Sequence, residues 1–142
     1  MKKIKPELFK GGVAIDARGS VSYNNNLQLK NIKRFYIVEN FKKNFVRAWH
    51  GHKVEGKYIL CIKGKAKVSA IKINNFKKPS KKNKPEHFFL DSKLPSVVYV
   101  PPGYANGSKS VSKDMKLLIF STTTLKQSLK DDYRFPEKYW KI

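Results

Sequence analysis

The chain has 142 residues, 40% of them hydrophobic and 13% aromatic, which suits one domain with a packed core and excludes a disordered basic tail. No apolar run approaches the roughly 20 residues of a membrane span, and the opening MKKIKPELF lacks the apolar stretch of a secretion signal, so a soluble, cytoplasmic protein is expected. A formal charge of +21 would draw phosphates, but it is lysine spread along the whole chain, with no basic helix, nucleic-acid motif or arginine cluster; a small phosphorylated ligand suits the few placed arginines better than a duplex.

Residues 1–12 read as a basic N-terminal arm ending at Gly11 and Gly12. After VAI, the residues Asp16, Arg18, Gly19 and Ser20 spell a turn between two strands, with Gly19 supplying the conformational freedom. Asn24 to Asn26 form a polar loop. IKRFYIVEN is β-branched and aromatic enough for a strand, and FKKNFV connects it to the strand RAWHGH. KYILCIKGKAKVSAIKI reads as two strands turning at Lys63-Gly64-Lys65, the second alternating between a buried and a wet face. The single cysteine, Cys61, has no internal partner and sits in YILCI as a core thiol. NNFKKPSKKNKPEH, residues 74–87, is a solvated loop expected to carry little chemistry. FFLDS and PSVVYVPP are strands, the latter stopped by Pro101 and Pro102. GYANGSKSVS is a turn-rich stretch, MKLLIFSTTTL another apolar strand, and residues 126–142 a mixed-charge aromatic tail with one short helical turn ended by Pro136. Trp49 and Phe35 are expected in the core. Short strands about ten residues apart, punctuated by Gly, Pro and Asn, predict a single all-β sandwich or barrel over 1–142.

Function concentrates in RAWHGHKVEGKYILCIKG. His50 and His52 are two apart on a strand, so both imidazoles look into the same space. Here the chain resembles the cupin superfamily, whose first motif has His-x-His, four residues, Glu, six residues and Gly. Counted from His52, Lys57 stands at the Glu position and Gly64 falls in register. The second cupin motif, Pro-x-Gly-x-x-His, is met by Pro101 and Gly103, with Asn106 in place of the His. Two of the four metal-ligand positions are thus lost, one to a cation, and an ammonium offers a divalent ion no lone pair. The resemblance implies a cupin barrel, a double-stranded β-helix or jelly roll, without metal or other cofactor.

Within the cupins the chain is similar to the sugar-nucleotide branch, the dTDP-4-dehydrorhamnose 3,5-epimerases and sugar-nucleotide 3,4-ketoisomerases, from about Ile15 to Trp140. Asp16 to Gly19, DARG, resembles the Asp-x-Arg-Gly of both groups. RAWH resembles the epimerases' Arg-Gly-Leu-His, while IKRFYIVEN with RAWHGHK is closer to the ketoisomerases; GKY at 56–58 and YVPPGYANG resemble epimerase segments. The resemblance implies proton removal next to the ketone of a nucleotide-linked 4-keto-6-deoxy sugar, which needs a base and a cation at the oxygen. It assigns His50 as the base and Lys57 as the partner of the C4 oxyanion. Arg18 and Arg47 would hold the diphosphate, and His52 and Asn106 would line the sugar site. The epimerases' tyrosine acid aligns with Phe120, which has no proton to give, so either Tyr104 or Tyr36 replaces it or the double epimerisation is lost and one-face chemistry remains; Asp131, Asp132 and Glu55 stay open as the carboxylate behind the histidine. The implied activity is metal-independent epimerisation in a homodimer. The alternatives are 3,4-ketoisomerisation and a non-catalytic cupin that binds a sugar or nucleotide. Without the resemblance, Lys57 is one more lysine in a lysine-rich chain, Asn106 a turn cap and Arg18 a surface side chain.

Overall fold

Along Met115–Ser121 buried residues alternate strictly with half-buried ones, the period-two mark of a strand with one face on a core. This run is an inner strand of one of two five-stranded antiparallel sheets in the computed structural model, which describes residues 4–142. In chain order the strands are β1 (Glu7–Phe9), β2 (Gly12–Asp16), β3 (Gly19–Tyr23), β4 (Arg34–Asn40), β5 (Val46–His52), β6 (Lys57–Lys63), β7 (Lys65–Lys72), β8 (Glu86–Asp91), β9 (Val97–Val100), β10 (Tyr104–Ser110), β11 (Met115–Ser121) and β12 (Tyr133–Arg134). A one-turn helix α1 (Leu125–Leu129) and a 3-10 turn (Glu137–Tyr139) complete the chain. One sheet has the order β1-β9-β6-β11-β4, the other β12-β5-β10-β7-β8, and β2 with β3 forms a separate hairpin. Among the described residues no helix is long and apolar enough to cross a membrane.

The core lies between the two sheets. Ile59 and Cys61 of β6, Val68 and Ala70 of β7, Val98 and Val100 of β9, and Leu117 and Ile119 of β11 form its centre, with Tyr36 and Val38 of β4 packed against it. The thiol of Cys61 is buried there as expected, and burial pushes it up to about 11. A second cluster covers the outer face of the other sheet, where the C-terminal segment brings Trp140 against Trp49, Ile71, Ile73 and Ala105. The alternation along β5 therefore sends Trp49 outward under the tail and its neighbours His50 and His52 inward.

Several expectations are corrected. The N-terminal arm is in part a strand, since β1 pairs with β9 and extends the first sheet; residues 1–3 of that arm lie outside the described residues. GYANGSKSVS is not a turn-rich connection but β10, flanked by β5 and β7. Its small residues serve close packing: a Cβ at Gly107 would lie 2.7 Å from that of Ala48. Phe35 is not in the core. It faces outward from β4 and is 66% exposed, because Arg34, Tyr36 and Val38 take the inward positions. The turn at DARG is a hairpin as read, with Gly19 at φ +139°, a backbone setting that side chains rarely adopt.

Candidate active site

The apolar core gives way to polar side chains where β4, β5, β6 and β10 meet. Two residues before Ile59 on β6, Lys57 points inward and is only 7% exposed. Its ammonium lies 3.7 Å from Oε2 of Glu55, a carboxylate 2% exposed on the turn that joins β5 to β6. The hydroxyls of Ser121, Thr123 and Ser128 donate to the other oxygen, Oε1, and so does the Arg34 guanidinium, at 3.2 Å. Burial pushes the Glu55 carboxyl up, but Lys57, the Ser121 hydroxyl and His52 outweigh it and leave it below the ordinary range. For Lys57 the balance goes the other way, with burial lowering the ammonium more than Glu55 raises it.

The two histidines are in different settings. Nδ1 of His52 is 2.7 Å from the Asp131 backbone carbonyl and 3.2 Å from Glu55 Oε2. A carbonyl only accepts, so the proton sits on Nδ1 and Nε2 carries the lone pair; Nε2 is buried with no partner among the described residues. Burial and Lys57 lower its imidazole, while Glu55 and the Asp131 carbonyl act against them. His50, half-buried, is pushed down to about 4, first by burial and then by Lys57 and Arg134. It is therefore neutral at neutral pH. Asn106 stands opposite it on β10 and donates from Nδ2 to the His50 carbonyl at 3.2 Å.

Asp131 organises this corner. Its carboxylate accepts the backbone N–H groups of Lys53, Val54 and Glu55 at 2.8–2.9 Å, which fixes the turn carrying Glu55, while its carbonyl holds His52. Helix α1 delivers it: Thr124 caps the helix and Gln127 closes a capping box, setting Ser128 and Asp131 beside Glu55.

The residues marked in the sequence are thus only partly gathered. His50, His52, Lys57 and Asn106 share the inner surface, and Tyr36 joins them from β4, its ring 4.9 Å beneath the Arg34 guanidinium. Its phenol is raised to about 12 by burial and then by Glu55. Arg47 lies near the far end of β5, exposed, with Nε donating to Asn40 at 2.7 Å. Tyr104 packs its ring into the apolar core, and its phenol is raised by burial and then by Glu86 of β8. Arg18 is at the tip of the β2–β3 hairpin and pairs with Asp16 of its own turn at 2.7 Å. Phe120 points out of the barrel against Phe35, so it does not occupy a donor's place in the site. Arg34, within the IKRFYIVEN segment, has no role assigned from the sequence, and Glu55 is one open carboxylate of three there; the signal that could have singled Glu55 out is its spacing, three residues after His52 and two before Lys57. Among the described residues no three His, Cys, Asp or Glu side chains are grouped as a metal ion requires.

Residues 7–141 match the family model described as FdtA: WxcM-like, C-terminal. The chain belongs to this family. Among solved structures, QdtA, a sugar 3,4-ketoisomerase from Thermoanaerobacterium thermosaccharolyticum in complex with TDP, superposes with a TM-score of 0.70 at 19% identity over 95% of this chain and 91% of that one. The TDP-quinovose 3,4-ketoisomerase WlaRB of Campylobacter jejuni gives 0.68 at 19% identity over 94% and 95%. The dTDP-4-dehydrorhamnose 3,5-epimerase of Sulfolobus tokodaii gives 0.77 at 20% over 96% of this chain but 80% of its own. No curated protein matches in sequence. The chain thus has the fold of these isomerases, and the cupin jelly roll expected from its motifs is borne out.

Proposed function

We propose that the chain is a sugar-nucleotide isomerase that moves the carbonyl of a nucleotide-linked 4-keto-6-deoxy sugar from C4 to C3. The observation that carries this reading is the pair of unlike imidazoles on one wall of the barrel, one backed by a carboxylate and a carbonyl and the other neutral and half-buried. Carbonyl migration requires two proton transfers, from C3 to C4 and from O3 to O4. A lone pair fixed on Nε2 of His52 suits the carbon-bound proton, because Glu55 lies against its Nδ1–H and stabilises the imidazolium that forms. His50, which the sequence favoured as the base, then suits the exchange between the oxygens. The Lys57 ammonium supplies positive charge for the enediolate oxygen, shared with Glu55.

A second reading, epimerisation with the ketone kept at C4, is favoured by Tyr36. Its phenol, raised to about 12, stays protonated and lies on β4, so it can serve as a donor facing β5. Incubation with dTDP-4-keto-6-deoxyglucose followed by carbon NMR separates the two: a new C3 ketone supports isomerisation, whereas a retained C4 ketone with inverted neighbours supports epimerisation.

A homodimer is part of this proposal. Arg18, matched by resemblance to a diphosphate ligand, is carried on a hairpin whose apolar Ile15 is 80% exposed. The outer face of the first sheet presents Phe35 and Ile37 beside Phe120 and Leu118. A second copy would cover this face and give the hairpin, with Arg18, a surface to lie on.

A further inference from the structure

The C-terminal segment and the lysine-rich loop between β7 and β8, which the sequence left without chemistry, enclose a recess of about 530 Å³ on the outer face of the second sheet. Five lysines from separate parts of the chain line it: Lys67 of β7, Lys81, Lys82 and Lys84 of the loop, and Lys141 of the tail, with His87 of β8 beside them. No aspartate or glutamate belongs to the lining, and among the described residues none of the five lysines lies within ion-pairing distance of a carboxylate. The walls are held in place. The Tyr139 hydroxyl donates to the Pro79 carbonyl at 2.5 Å and the Trp140 indole to that of Ser80 at 3.0 Å, while the Lys81 ammonium sits 4.8 Å over the Tyr139 ring. His87 is fixed at 2.6 Å from the Ser69 hydroxyl.

Five ammonium groups around one concavity repel one another, and the field they sum to is strongest inside it, where low-dielectric walls focus it. An anion of matching size offsets that repulsion. Lysine is a compact, strongly hydrated point charge with three donors, suited to phosphate oxygens approached from several directions. The two aromatic rings are engaged with the loop, so the recess offers charge rather than a stacking platform for a base. Its volume is that of a small-ligand site, not an extended track for a polymer. We infer that this recess is an anion site for a small molecule carrying two or more linked phosphates, separate from the histidine wall on the opposite face of the same sheet.

Trp140 reports on it directly, since its indole N–H bonds to the loop and the chain has one other tryptophan, Trp49. Inorganic pyrophosphate is titrated into the full chain at 50 mM salt while both indole resonances are followed by proton–nitrogen NMR. The expected result is a saturable shift of the Trp140 peak, an apparent Kd raised at least tenfold by the triple substitution Lys81→Gln, Lys82→Gln, Lys84→Gln, and little change in a control triple, Lys30→Gln, Lys42→Gln, Lys113→Gln, that removes the same charge elsewhere. Equal weakening by both triples would mean that only the diffuse field of a basic protein is at work, and it overturns the site. So does a shift that does not saturate, or one that the loop triple leaves intact. Lys141→Gln, on a different segment, is expected to weaken binding about threefold and keeps the test valid if the loop triple is poorly folded. None of these outcomes depends on the isomerase reading.

Discussion

At residue 57 an ammonium is almost wholly removed from water, and the side chain that offsets the cost is Glu55, held in turn by three hydroxyls and Arg34. Breaking such a pair from one side leaves an unpaired buried charge, which costs about 3–5 kcal/mol. Glu55→Gln should lower unfolding free energy by that order in urea titrations, and adding Lys57→Met should restore most of the stability but none of the activity. If the double variant is no more stable than Glu55→Gln, the two side chains are not energetically coupled. The histidines give a pH prediction. In the unfolded chain His50 binds a proton below its ordinary value of 6.5, but in the folded chain only below about 4. Between these values the unfolded state binds more protons, so stability falls as pH falls through the window; His52, also lowered, acts in the same direction. Thermal melts should show Tm declining from pH 6.5 to 4, and the decline should be shallower in His50→Gln.

Among the elements, the corner formed by α1 and Asp131 holds the turn that carries Glu55 and the ring of His52. One carboxylate receives three consecutive backbone N–H groups, so Asp131→Ala leaves three donors without their partner, at a cost of about 1–3 kcal/mol for each that water cannot reach. The variant should lose at least tenfold in kcat/KM; activity within twofold of the parent would show that the turn holds its shape unaided. Little of this was legible beforehand. The histidine spacing was, because a period of two on a strand needs no tertiary information, and so was the place of Lys57, through the resemblance to the cupin motif. The direction of Phe35 and Phe120 was not: both lie in strands whose inward positions are taken by their neighbours, and residue type alone would have put the phenyl rings inside. β10 was hidden by its small residues. A strand pressed against Trp49 and Ala48 needs Gly107 for space, and strand propensity records a pleated half-buried surface rather than so close an approach. The role of Asp131 depends on a contact across more than seventy residues of chain, which no local pattern encodes.

For the molecule as a whole, the proposed dimer would cover the exposed apolar face at Phe35 and Ile37 and seat the β2–β3 hairpin on a second copy. Light scattering should give the mass of two copies, and Phe35→Glu with Ile37→Lys should shift it to one; an unchanged dimer in that variant would place the interface elsewhere. In the proposed reaction His50 and His52 move protons between C3 and C4 and between their oxygens, leaving C5 alone. It is tested most directly by incubating the protein with dTDP-4-keto-6-deoxyglucose in deuterated water and locating the label by NMR. The expected result is deuterium at C4 of the 3-keto product and, by reversal, at C3 of the remaining 4-keto substrate, with none at C5, lost in His52→Asn. Deuterium at C5, or none on any ring carbon, would contradict it.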